Sequence, residues 1–150
     1  MMKHFIDISD FNLKTLNAIL KTAKQIKKNP KKFANKCKDK TLGMIFQKES
    51  TRTRVSFNVG FKKLGGDSIE LNAESIGFGK RESYQDIIKT LSLFIDILMI
   101  RNDDHKIIRN LSTLNVLPII NGLSDFSHPC QILSDFLTIN EKLGNIKNQR

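Results

Sequence analysis

The sequence predicts an α/β fold, an open parallel sheet of about four strands with helices on both faces. Three observations predict it. Short apolar runs of strand type alternate with longer segments whose apolar residues recur at helical spacing. The connections between strand runs have about the length that parallel crossovers need. The strand runs are also apolar throughout, as in a sheet covered on both sides.

Each element has its own signal. Residues 9–28 read as a helix, capped by Ser9 or Asp10, with Phe11, Leu13, Leu16, Ile19, Leu20, Ala23 and Ile26 on one stripe. Asn29-Pro30 ends it, and a lysine-rich connector runs to Lys40. A strand over 42–46 leads into Ser50-Thr51-Arg52-Thr53-Arg54 and a helix over 52–64. On that helix Val55/Val59 and Phe57/Phe61/Leu64 have face spacing, and Gly65-Gly66 is the stop. Residues 67–71 alternate as a second strand, and 72–82, with Gly77 and Gly79, form a loop. Ser83 with Asp86 three residues on starts a helix over 83–93. Residues 95–100 form a buried strand, and Asp103 or Asp104 starts a helix over 103–114. Residues 116–120 are a fourth strand, whose Pro118 indicates an edge or strand end. A loop over 121–128 precedes a last helix, 129–143, with Pro129 at its first position.

The bulk composition bounds the function. One domain is the natural count for 150 residues, and a chain of this length buries a real core. No apolar run reaches membrane-spanning length; residues 91–100 come closest and are interrupted by Asp96. The N-terminal residues lack a secretory signal pattern. Cys37 and Cys130 fit no metal or redox spacing, so reduced thiols in a cytoplasm are expected. The net charge of +10 concentrates at lysines 21–40 and on later helical faces. Without aromatic stacking strands or zinc-finger spacing, it reads as a solvated surface rather than a nucleic-acid patch.

The chemistry-bearing residues lie at strand ends. Ser50, Thr51, Arg52 and Thr53 crowd the first turn of a helix, where free N–H groups and the positive dipole end favour an oxyanion or phosphate. An ordinary helix cap explains the same hydroxyls. Arg101 follows the third strand directly, either joining that rim or pairing with Asp103 or Asp104. His128-Pro129-Cys130-Gln131 opens the last helix, and Gln131 either enters the site or closes a capping box on His128. Adjacent residues on a turn need not face each other, which argues against a Cys130–His128 nucleophile. Gly77-Phe78-Gly79 lacks the context of a dinucleotide fingerprint.

Phe46-x-Lys48-x-Ser50-Thr51-Arg52-Thr53-Arg54-x-Ser56-Phe57, Met99-Ile100-Arg101, Asn121-Gly122-Leu123 and His128-Pro129-Cys130-Gln131-x-x-x-Asp135 occur in that order. Together they resemble the aspartate/ornithine carbamoyltransferases over nearly the whole chain. Lys3-His4-Phe5, Leu71-Asn72-Ala73 and His-Pro-Cys-Gln resemble the ornithine branch more than the aspartate branch. The resemblance implies that carbamoyl phosphate binds with its phosphate on Ser50, Thr51, Arg52 and Thr53. Arg101 then bridges phosphate and carbonyl, His128 and Thr53 hold the carbonyl oxygen, and Gln131 orients the carbamoyl amide. The δ-amine of ornithine attacks the carbonyl carbon to give citrulline and phosphate. No metal, covalent nucleophile or organic cofactor is required.

The resemblance also implies a homotrimer, with Lys80 and Arg81 reaching a neighbouring subunit's phosphate. Gly77 departs from the ornithine branch, which usually has glutamine there. On the same comparison, residues 1–150 correspond to the carbamoyl-phosphate-binding domain. The ornithine-binding domain is outside this chain, and helix 129–143 is expected to expose an apolar flank. The chain would bind carbamoyl phosphate without turning over ornithine alone. The neighbouring alternative is an aspartate or other amino-acid carbamoyltransferase half. Alternatives of other classes are a basic nucleic-acid-binding module and a non-catalytic assembly module.

Overall fold

The computed structural model describes residues 3–144; a linker beginning at Gly144, the one place where the sequence allows one, falls on residues 145–150, which lie outside the described residues. Strands β1 (Thr41–Phe46), β2 (Asp67–Asn72), β3 (Ile97–Arg101) and β4 (Ile119–Leu123) form one parallel sheet in the order β2-β1-β3-β4. The helices are α1 (Leu13–Lys28), α2 (Thr51–Lys63), α3 (Tyr84–Leu91), α4 (His105–Thr113) and α5 (Pro129–Leu143). The expected fold class is the observed one.

The chain steps outward from β1 to β2, then returns across β1 to β3. Right-handed crossovers therefore put α2 on one face and α3 and α4 on the other. The two cores follow. Ile45, Leu98, Ile100 and Ile119 meet Ile87 and Ile88 of α3 and Ile108 and Leu111 of α4. Leu42, Met44, Phe46 and Met99 meet Phe57 and Phe61 of α2. The period-two alternation along β1 separates these sets. It also places Arg101, two residues after Met99, on the α2 face, in register with Phe46. The α5 residues Cys130 and Ser134 line a groove on that same face with Phe57 and Phe61. Lys27 of α1 pairs with Glu141 of α5 at 2.6 Å.

Several boundaries differ from expectation for identifiable reasons. Asn12, not Ser9 or Asp10, caps α1 by accepting the Thr15 N–H at 2.9 Å, while Asp7 caps a preceding 3-10 turn over Ile8–Asp10. The third strand starts at Ile97 because Asp96 is used before it, accepting from Thr41 N and Lys40 Nζ. Helix α3 ends at Leu91, leaving Leu93 and Phe94 exposed in a turn. The fourth strand runs over Ile119–Leu123 rather than 116–120, because Asn115 turns with φ 56° and Pro118 has no N–H to give the ladder. Asn121 and Gly122 are thereby strand residues, not loop. β4 is an edge strand of the sheet, and Phe5 bridges its outer side at Ile120. On α2, Val55 and Val59 are exposed, and the packing face is Thr53, Phe57 and Phe61. The Gly65-Gly66 stop is a Schellman turn: Gly66 N donates to Phe61 O and Gly65 N to Lys62 O, with Gly65 at φ 92°.

Candidate functional site

An open α/β sheet offers a crevice where successive crossovers diverge, at the carboxyl ends of the strands. Here that point lies between β1 and β3. A cleft of about 440 Å³ opens there, lined by Ser50, Arg52, Thr53, Ser56, Phe57, Arg101, Leu123, His128, Cys130, Gln131 and Ser134.

β1 delivers the first group. Ser50 is the N-cap of α2, and its Oγ accepts the Thr53 N–H at a long 3.4 Å. The other N–H groups of this first turn have no intrahelical acceptor and remain available to an anion. Thr53 is buried, whereas Thr51 and Arg52 are exposed. Thr51 does not line the cleft. Arg54 points elsewhere: its Nη2 lies 3.0 Å from Glu70 Oε1 on β2, and its guanidinium stacks on Phe46 at 5.5 Å.

Arg101 enters from β3 at a register irregularity between Ile100 and Arg101, which pairs Arg101 with Leu123. Such irregularities re-aim strand-end side chains. The surface-pair reading of Arg101 fails, because Asp103 pairs with Lys48 at 2.5 Å and Asp104 caps α4. The capping-box reading of Gln131 fails too; Gln131 Nε2 donates to Asp135 Oδ1 at 2.8 Å, and His128 receives no side-chain cap bond.

His128 caps α5 through its backbone and, partly buried, lines the cleft. Burial pushes its imidazole below the ordinary histidine value, the Arg101 charge pushes the same way, and Asp135 opposes them. His128 Nδ1 is buried with no hydrogen-bond partner among the described residues. Cys130 is not a nucleophile in this setting. Burial pushes its thiol up to about 11, and its weak donor contact goes to the Asn121 carbonyl at 3.9 Å.

The cleft thus unites Ser50, Arg52, Thr53, Arg101, His128 and Gln131 from three strand-end segments. Lys80 and Arg81 stand outside it, exposed on the loop after β2, with Arg81 Nη2 3.9 Å from Glu82. That loop is anchored by Phe78, buried edge-on against Tyr84 at 4.7 Å. Gly77 sits at φ 64°, a conformation in which glycine is at no disadvantage. Ser134 is a lining residue that the sequence motifs did not include. Ser134 was within reach, being one helical turn beyond Cys130 and Gln131. Among the described residues, no three His, Cys, Asp or Glu side chains converge to hold a metal ion. Nor is any helix among them long and apolar enough to cross a membrane.

Residues 3–141 match the family model described as aspartate/ornithine carbamoyltransferase, carbamoyl-P binding domain. The chain is 46% identical over 142 residues to the anabolic ornithine carbamoyltransferase of Pyrococcus furiosus, covering 93% of this chain and 45% of that protein. It is 40% identical over 147 residues to the ornithine carbamoyltransferase of Shewanella oneidensis, covering 98% of this chain and 49% of that one. The solved Pyrococcus furiosus ornithine carbamoyltransferase superposes with a TM-score of 0.92 at 44% identity, covering 97% of this chain and 47% of that chain. The anabolic enzyme of Campylobacter jejuni gives 0.90 at 33% identity, covering 98% and 48%. The chain spans about half the length of these relatives. With fold, strand-end cleft and matched residues in agreement, this chain belongs to the aspartate/ornithine carbamoyltransferase family.

Proposed function

We propose that residues 1–150 form the carbamoyl-phosphate-binding domain of an ornithine carbamoyltransferase. The observation that supports this most is the convergence of Arg52, Arg101, His128 and Gln131 on one cleft at the switch point of the sheet. The phosphate lies on the first turn of α2, held by the Ser50 and Thr53 hydroxyls, the Thr51 N–H and the Arg52 guanidinium. Arg101 spans phosphate and carbonyl. His128, neutral by burial and by the Arg101 field, gives the carbonyl oxygen an N–H without adding a third charge. With Nδ1 buried, Nε2 is the nitrogen left for that role. Gln131 gives one amide N–H to Asp135, which fixes the side-chain amide, and its carbonyl oxygen accepts from the carbamoyl amide.

The acceptor is ornithine, as in the names of the relatives. Its δ-amine forms the new C–N bond, the C–O bond to phosphate breaks, phosphate leaves with the electron pair, and the amine loses a proton. Negative charge grows on the carbonyl and leaving oxygens, and fixed donors and cations stabilise it there. The ornithine-binding domain belongs to the half of the relatives that this chain does not span. The assembly is a homotrimer in which Lys80 and Arg81 serve the neighbouring site. The anabolic direction, towards arginine, follows the name of the Pyrococcus relative. A cytoplasmic setting suits the free Cys37 and Cys130.

Calorimetric titration of carbamoyl phosphate into the unaltered chain and Arg52→Ala tests the reading. We expect the variant to bind about tenfold to a hundredfold more weakly, the loss of a charge-assisted pair. Equal heats for both would end the assignment of an anion site. Citrulline formed by the isolated chain would refute its role as a donor half.

A further inference from the structure

Outside the cleft lining, a continuous polar chain links the first turn of α4 to His128. Arg109 Nη1 donates to both oxygens of Asp10, at 2.7 and 2.8 Å. Arg109 Nε donates to His105 Nε2 at 3.2 Å. His105 Nδ1 is 2.8 Å from Ser124 Oγ. Ser124 Oγ in turn meets the Ser127 N–H at 3.1 Å and the Ser127 carbonyl at 3.2 Å. His128 follows next in the chain.

The hydrogen positions in this relay are forced. A guanidinium has only donors, so His105 Nε2 must present its lone pair to Arg109. The imidazole proton then sits on Nδ1 and is donated to Ser124 Oγ. Ser124, accepting from His105 and from Ser127 N, has its one hydroxyl hydrogen left for the Ser127 carbonyl. That carbonyl also receives Ser124 N at 3.0 Å and the buried Asn121 Nδ2 at 3.1 Å. Three donors on one carbonyl fix the plane of the Ser127–His128 peptide, and with it the direction in which His128 leaves the backbone. The opposite His105 tautomer would take the Ser124 hydrogen for itself and set two donors, Nε2–H and Arg109 Nε–H, against each other. Asp125 completes the frame by accepting the His105 N–H at 3.0 Å, and the Phe126 ring covers the imidazole at 5.1 Å.

We propose that His105 is a positioning residue, which, held as one tautomer by Arg109, sets the Ser124–Ser127 turn and so aims His128 into the cleft. The role of His128 towards ligand rests on the carbamoyl-phosphate reading; the aim of its ring does not.

The experiment compares His105→Gln with His105→Leu in the 150-residue chain. Glutamine carries an N–H for Ser124 and an oxygen for Arg109, whereas leucine fills similar space with neither. The readouts are the His128 ring resonances by ¹H–¹⁵N NMR and the Kd for carbamoyl phosphate. We expect glutamine to leave both close to the unaltered chain. Leucine should displace the His128 ring signals and raise Kd about three- to tenfold, the effect of a lost hydrogen bond. A packing role alone predicts that leucine does as well as glutamine or better, and that pattern would overturn the proposal. So would equal displacement of the His128 signals by both variants. If the unaltered chain binds no carbamoyl phosphate, the functional reading falls, and the ring signals still decide the role of His105.

Discussion

Arg101 and His128 come from the ends of different segments yet share one cleft, and the guanidinium adds to what burial does to the imidazole. We expect the His128 ring to titrate below the ordinary 6.5. Arg101→Gln should raise that midpoint without restoring it fully, because burial is the larger cause. The stability consequence has a definite sign. Between the folded and the unfolded pKa the unfolded chain holds more protons at this site. Stability from His128 is therefore complete above the unfolded value and falls as pH drops through it, levelling off once the folded form is protonated as well. NMR titration of the ring measures the midpoint, and a fall on Arg101→Gln would contradict this account.

Arg52 and Arg54 are two residues apart and have different work. Arg52 lines the cleft, while Arg54 is committed to Glu70 and the Phe46 ring. Arg54→Ala should therefore cost stability, about 1 kcal/mol given a partly exposed pair plus the stacking contact. Its phosphate affinity should stay within about twofold, since no anion contact is removed. Arg52→Ala should show the reverse: little change in urea midpoint and a large loss of binding. Urea titration beside phosphate calorimetry separates them, and a matching binding loss in Arg54→Ala would show that both arginines serve the anion.

This division was only half legible in the sequence. The Ser50 cap, the α2 start and the β1 and β3 runs have local signals, namely a hydroxyl before a helical period and β-type apolar runs. The placing of Arg101 at the rim follows from the same signals, because its strand ends there. What Arg54 does depends on where β2 pairs, and pairing leaves no local trace. β4 was displaced by three residues because Val116 and Leu117 have strand composition but lie before a proline and after a left-handed Asn115. His105 was invisible for a further reason. Its partners Ser124 and Arg109 belong to a loop and to its own helix, and the imidazole acts only through a turn nineteen residues away.

The two glycines at Gly60 and Gly65 should respond in opposite directions to alanine. Gly60 lies within α2 with open space at its missing Cβ. Alanine there should add about 0.5–1 kcal/mol, through helix propensity. Gly65 sits at φ 92°, and a Cβ would stand 2.3 Å from the Ala34 carbonyl oxygen, which is backbone and cannot swing away. Gly65→Ala should therefore cost at least about 2 kcal/mol from backbone strain and displacement of that segment. Urea unfolding of both variants checks the pair, and a Gly65→Ala chain of unaltered midpoint would refute the Schellman account of the helix end.

Asp7 joins the N-terminal turn to the framework behind the cleft, and its acid response should show it. Burial alone would raise its carboxyl, but the Ser127 and Ser9 hydroxyls, the Ser9 N–H and the Arg109 charge together hold it below the ordinary value. The Ser9 contacts are short, at 2.6 and 2.8 Å, whereas Ser127 Oγ stands near without a hydrogen bond of good geometry, so Ser9 carries more weight here. A depressed carboxyl contributes stability that is complete above its unfolded pKa and is lost as pH falls through the folded one. Asp7→Asn removes the charge but keeps an acceptor, and should cost about 1–2 kcal/mol at neutral pH. The gap between variant and unaltered chain should then shrink as pH falls below about 4. Urea midpoints at neutral and acid pH measure that gap. A gap that stayed constant, or widened in acid, would mean that the Asp7 charge does not hold this turn in place.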